Sequence, residues 1–262
     1  MLALNIYWFG REEYLAAIVQ FPEGVTLGNA IDAYAATIDT AAWVVLLLMF
    51  ELETYVFEDD QITPVVAGAL HGVRILCYTV IVYAFYGYVV NLTFLLQASQ
   101  LSGVSSLCTL VSDGWSYAID IDEYTQITAS NCTTFSDAGT FLRLDGILAV
   151  VDADGFRAIK NLAWVDVINS AVWLLVVIIL EVDVWLQERN RLEGAALRAS
   201  NSLKVVLYAC LLFAATFWGI KGDFVDFWDA FLWLVAFVFI ELNVFEWRQE
   251  VNESEAESPV KA

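Results

Sequence analysis

Three glutamates carry the spacing most suggestive of chemistry. Glu51, Glu181 and Glu241 each lie eight residues after a tryptophan (Trp43, Trp173 and Trp233), inside apolar runs. Two residues further on stand Glu53, Asp183 and Asn243. Ionisable groups at membrane depth are candidate proton carriers or ion ligands. Carboxylates crowded in a low dielectric disfavour one another's ionised form, so a surplus must be protonated, hydrated or neutralised by a cation. Two bases, Arg74 and Lys204, open the apolar runs that follow, so five acids (Glu51, Glu53, Glu181, Asp183, Glu241) face two bases at that depth. Two readings stand side by side. In one, Glu51 pairs with Arg74 and Glu181 with Lys204, and the pairs only fix helix packing. In the other, the surplus carboxylates form a proton relay or cation site.

The elements that position these residues follow from the apolar periodicity. Five segments approach the roughly 20 residues that cross a bilayer: 37–57, 73–96, 166–187, 203–220 and 226–247. The segments "DTAAWVVLLLMFELET", "NSAVWLLVVIILEVDV" and "DAFLWLVAFVFIELNV" align on their tryptophans, and "RILCYTVIVYA" aligns with "KVVLYACLLFA". The copies run in the same direction, which predicts a parallel internal repeat. Asp39, Trp43, Leu47, Glu51 and Tyr55 step by four and drift slowly around one helical face. An acid facing lipid costs about 2.5–3.5 kcal/mol, so this stripe is expected to face neighbouring helices. Trp43, Trp173 and Trp233 are expected between helices, and Tyr83, Tyr86, Tyr88, Trp164, Trp218 and Trp228 at the outer interface, as in aromatic belts.

Composition agrees with a lipid environment. Of 262 residues, 60% are apolar, against about 45–50% for soluble domains. The formal charge of −20, from 32 acids and 12 bases, argues against nucleic acid or anionic headgroups as partners. The single histidine, His71, rules out bis-His haem ligation; it reads as a surface residue of a short loop. No serine-hydrolase, zincin, P-loop or dinucleotide motif is present, so the chain is expected to be non-enzymatic, with no cofactor and no resident metal. The acids Asp120, Asp122, Glu123, Asp152 and Asp154 include a "DADG" fragment of calcium-loop character, short of the six or more oxygens a calcium loop supplies.

The predicted organisation is an all-α polytopic membrane protein of five transmembrane helices plus a small β-containing extracytoplasmic insert. Residues 1–36 form an amphipathic interfacial segment, or a cap over the bundle. Residues 37–96 form a first helix pair, 97–165 the β-containing cap, 166–247 three further helices, and 248–262 a disordered acidic cytoplasmic tail. "WSYAIDIDEYTQIT" alternates like a strand, and Asp145-Gly146 in "FLRLDGILAVV" signals a hairpin. Cys108 and Cys132 lie in this insert without metal-ligand spacing, and an extracytoplasmic location predicts a disulfide between them; Cys77 and Cys210 lie in apolar runs. The N-terminus lacks a basic start and apolar core, so no signal peptide is expected. Seven bases fall on the side of loop 188–202 against two short-loop bases opposite, which places the N-terminus outside and the C-terminus in the cytoplasm of a prokaryotic plasma membrane. The expected partners are the lipid bilayer and either other proteins or further copies of the chain.

Overall fold

The computed structural model describes residues 1–56, 63–136, 140–187, 189 and 191–239. The tail 248–262 and Glu241 lie outside the described residues. The fold is mostly helical with a small mixed sheet. It divides into two compact units, residues 1–174 and 175–262.

In the first unit, α1 (Leu2–Gln20), the single-turn α2 (Ala30–Ala33) and α3 (Ala35–Glu51) precede α4 (Pro64–Leu95). A π-helical turn, Leu52–Val56, continues α3. α4 starts where Thr63 Oγ1 accepts a hydrogen bond from the Val66 amide and Pro64 occupies the first turn. Proline there forfeits only an N–H that has no helical partner. α4 and α2 meet at Gly87, where an added Cβ would lie 2.8 Å from the Ile31 carbonyl oxygen and 3.1 Å from Ala35 Cβ.

The insert is a five-stranded sheet in the order β1-β4-β5-β2-β3, with β1 Ser99–Gln100, β2 Ser116–Ala118, β3 Tyr124–Gln126, β4 Phe141–Leu144 and β5 Ala149–Asp152. β4 and β5 form the antiparallel hairpin expected around Asp145-Gly146, with Gly146 at φ 89°. "WSYAIDIDEYTQIT" is two strands, β2 and β3, paired antiparallel about residues 119–123. The acids Asp120, Asp122 and Glu123 fall in that turn, which explains why one long strand is not formed. β2 pairs parallel with β5. Alternation along β5 serves two cores. Val151 packs with Leu92, Leu95, Leu144, Ile159 and Ala163 on the helix side, and Val150 packs with Leu107, Ile127, Cys132 and Phe141 on the other. Cys108 and Cys132 form the expected disulfide across this second core.

α5 (Ala153–Gln187) follows β5 without an intervening residue and crosses the unit boundary. It begins well before the expected position 166. Asp152 Oδ1 accepts the Gly155 amide at 2.6 Å, and the early turns supply Ile159 and Ala163 to the insert's own core. In the second unit α6 (Gly194–Lys221) ends at Gly222, φ 91°, a left-handed stop that glycine adopts without steric cost. Residues 224–239 form a further helix, α7, described to that point.

Among the described residues three helices, α4, α5 and α6, are long and apolar enough to cross a membrane. At 32, 35 and 28 residues they run about 42–52 Å, past a hydrocarbon core of about 30 Å. α3 has 17 residues before its π-helical turn. Trp218 is 4% exposed, which corrects its expected place in an outer aromatic belt. It continues the 3–4 spacing of Leu207, Leu211 and Ala214 on the buried face of α6.

Gly87→Ala places a methyl against the Ile31 carbonyl and is expected to lower stability by about 1–3 kcal/mol. Gly68→Ala meets nothing within 4 Å and is expected to leave stability unchanged or raise it by up to about 1 kcal/mol; thermal unfolding in detergent compares the two. Thiol counting on the denatured, unreduced chain is expected to label Cys77 and Cys210 only. Reduction is expected to lower the insert's stability by about 3 kcal/mol for a closed loop of this length, read by proteolysis of residues 97–152.

Candidate functional site

Among the described residues Arg74 pairs with Glu53 and Lys204 with Asp183. Arg74 Nη2 lies 2.5 Å from Glu53 Oε2, in place of the expected Glu51. Lys204 Nζ lies 3.2 Å from Asp183 Oδ2, where Glu181 was the expected partner. Glu51 and Glu181 are exposed, and Glu241 is outside the described residues. The reason is helical geometry. Val176 and Asp183 are seven residues apart, two turns that return to one face, and both are buried, at 0% and 2% exposure. A stripe stepped by four drifts away from that face, and Glu181 sits two residues from Asp183 on a different side. On α3, Ala42 and Met49 are likewise seven apart and buried. The π-helical turn then brings Glu53 round to Arg74, one turn after Met49.

In both pairs the acid precedes the base by 21 residues, but their surroundings differ. The Arg74 and Glu53 side chains keep 34% and 29% of their exposure, and those of Lys204 and Asp183 only 9% and 3%. Ser200 Oγ donates to Asp183 Oδ2 at 2.7 Å, so three polar groups share the buried site. Asp183 Oδ1 is buried without a hydrogen-bond partner. A half-exposed pair contributes about 0.2–1 kcal/mol. Breaking a buried pair strands a charge and costs about 3–5 kcal/mol.

Trp43, Trp173 and Trp233 are all buried, at 8%, 8% and 6% exposure. Within the first unit Trp43 and Trp173 meet with ring centroids 6.0 Å apart and planes tilted by 58°. Tyr83 and Tyr86 stack on an exposed part of α4. The acids of the insert do not converge: among the described residues no three His, Cys, Asp or Glu side chains gather as an ion-holding group.

One residue escaped the sequence analysis. Glu13, 9% exposed, sits on the buried face of α1 with Phe9, Ala16 and Ala17. Its Oε1 accepts the Ala36 amide at 2.7 Å, and its Oε2 accepts the Thr37 amide at 3.0 Å and the Thr37 hydroxyl at 2.5 Å. Those two amides belong to the first turn of α3, which lacks helical partners and whose own cap residue, Tyr34, contributes no side-chain bond. Burial pushes the Glu13 carboxyl up to about 8 against the pull of these hydrogen bonds, and Asp122 adds to the rise. An acid among apolar residues at spacing 9, 13, 16 was the available signal. At the end of the same helix, Gln20 Nε2 donates to the Ile121 carbonyl at 2.8 Å and to the Tyr124 hydroxyl at 3.0 Å, tying α1 to the β2–β3 turn.

The burial difference between the pairs sets an expected outcome. Asp183→Ala or Lys204→Ala is expected to lower stability by about 3–5 kcal/mol, and the double change Asp183→Leu with Lys204→Met to recover most of it. Glu53→Gln is expected to cost no more than about 1 kcal/mol. Thermal unfolding of the four proteins in one detergent makes the comparison. Searches against protein-family models, curated proteins and solved structures found nothing that matches this chain.

Proposed function

We propose that the chain is a non-enzymatic accessory or scaffold subunit of a membrane complex. In this reading it spans a prokaryotic plasma membrane five times, through helices derived from a parallel repeat. α1 lies at the outer interface, the disulfide-bonded insert faces outward and the C-terminal tail faces the cytoplasm. The observation that carries the reading is the destination of the intramembrane charge. Both bases at that depth are engaged within their own helical hairpins, 21 residues after Glu53 and Asp183, which suits charges that hold helices together. The outward faces fit the same role. On α6, Val205, Leu212, Phe213 and Ile220 are 60–80% exposed, a surface for lipid or for partner helices.

A second reading, a proton or cation channel or transporter built as an oligomer, draws on the buried, unbonded Asp183 Oδ1 and on exposed Glu51 and Glu181. One set of experiments separates the two. A scaffold is expected to co-purify with the same larger partner at fixed stoichiometry after cross-linking in native membranes. It is also expected to tolerate Glu→Gln at 51, 181 and 241 together, and to pass no protons or alkali cations when reconstituted alone in vesicles. Flux through the reconstituted protein that the triple variant abolishes, with the fold intact, overturns the scaffold in favour of the conductor.

A further inference from the structure

We propose that Glu13 is a proton-binding site whose occupancy controls the docking of α1 on the N-terminus of α3. The proposal is independent of the scaffold reading. It starts from the charges around the carboxyl. α1 packs against α2, α3 and β3. Their ionisable groups are Asp32 on α2, Asp39 and Glu51 on α3, Tyr124 on β3, and Asp120, Asp122 and Glu123 in the adjoining turn. None is a base. Arg11 and Glu12 on α1 itself lie off the buried face, with Arg11 exposed. Asp122 is the charge that acts on Glu13, and it is negative. An ionised Glu13 is therefore a buried anion with dipolar partners, no counter-ion and a like charge nearby, the arrangement in which a carboxyl keeps its proton.

The hydrogen bonds accommodate both protonation states with no heavy atom moved, only a turn of the Thr37 hydroxyl hydrogen. As a carboxylate, Glu13 accepts from the Ala36 amide, the Thr37 amide and the Thr37 hydroxyl. As an acid, Oε1 still accepts from Ala36, and the proton on Oε2 is donated to Thr37 Oγ1 across the same 2.5 Å contact. A hydroxyl can serve either way because it is both donor and acceptor. Docking then differs between the states mainly in the cost of burying the charge.

The direction of the linkage follows. Undocked in water, Glu13 titrates near its ordinary value of 4.5; docked, near about 8. The docked state thus binds the extra proton, and its advantage is full below 4.5, falls as pH rises and is gone above about 8. The slope for one proton is tenfold per pH unit. α1 also holds the β2–β3 turn through Gln20, so release of α1 frees that edge of the insert.

Amide hydrogen exchange of residues 1–20, on the full chain in lipid nanodiscs and corrected for intrinsic rates at each pH, reads the docking. Protection is expected to fall about tenfold per pH unit between about pH 5 and pH 8 and then to level off. Glu13→Gln, which copies the neutral acid, is expected to keep α1 protected with no pH dependence. Asp122→Asn is expected to retain more protection than the native chain at about pH 8, since it removes the like charge. A flat profile in the native chain overturns the proposal. So does a Glu13→Gln profile that follows the native one, or a Glu13→Gln chain whose α1 is unprotected at every pH.

Discussion

The contact between Lys204 and Asp183 is the constraint that the α5–α6 hairpin answers to. An apolar helix can slide or rotate against another at little cost, because lipid and side chain are equally apolar. A buried ammonium and a buried carboxylate cannot, because separating them in that medium leaves two charges without solvation. Once Lys204, Asp183 and Ser200 share a site, the register of the two helices is set and the apolar contacts arrange around it. The α3–α4 hairpin uses the same separation with a looser version, Glu53 and Arg74, at the rim where both side chains keep about a third of their exposure. The corresponding residue after Trp233 is a neutral amide, Asn243.

The sequence made the apolar runs, the insert, the β4–β5 hairpin and the Cys108–Cys132 bridge legible, because each rests on a local or compositional signal. Length and hydropathy mark α4, α5 and α6. Asp145-Gly146 marks a turn whose backbone only glycine adopts easily. Two cysteines in a polar insert read as extracytoplasmic are expected to pair, because an oxidising compartment favours the bridge. The charged pairs were half legible. Both bases and all the acids were identified, but the choice between residues two apart depends on which face of the helix is buried. The stripe stepped by four from Trp43 pointed to Glu51, and the packing follows a seven-residue return from Ala42 to Met49 and from Val176 to Asp183. The π-helical turn at Leu52–Val56 carries no composition signal that would have flagged it. The early start of α5 was missed for a different reason: its first turns pack inside the insert and are too polar to read as a span.

Glu13 shows how a helix terminus can be completed from outside. The N-cap of α3 is an aromatic residue, Tyr34, whose side chain makes no capping hydrogen bond. The missing acceptor comes from another helix, 23 residues earlier for Ala36 and 24 for Thr37. A cap of this kind does two jobs that are usually separate: it satisfies backbone donors, and it fixes where α1 lies. A signal of that type is invisible to any window shorter than the separation, although the acid on an apolar face was in plain view.

The joint between β5 and α5 is made without a spacer. Asp152 closes the strand and Ala153 opens the helix, and at Gly155 a Cβ would come within 2.9 Å of Val151 Cγ2 and 3.1 Å of the Asp152 carboxyl. Such a joint has no slack. A turn of α5 about its own axis would pass as torque into the central strand of the sheet, and from there to β4 and β2, which are bonded along its two edges. The insert and the first turns of α5 share one core through Ile159 and Ala163, so the start of the helix and the end of the strand are fixed together.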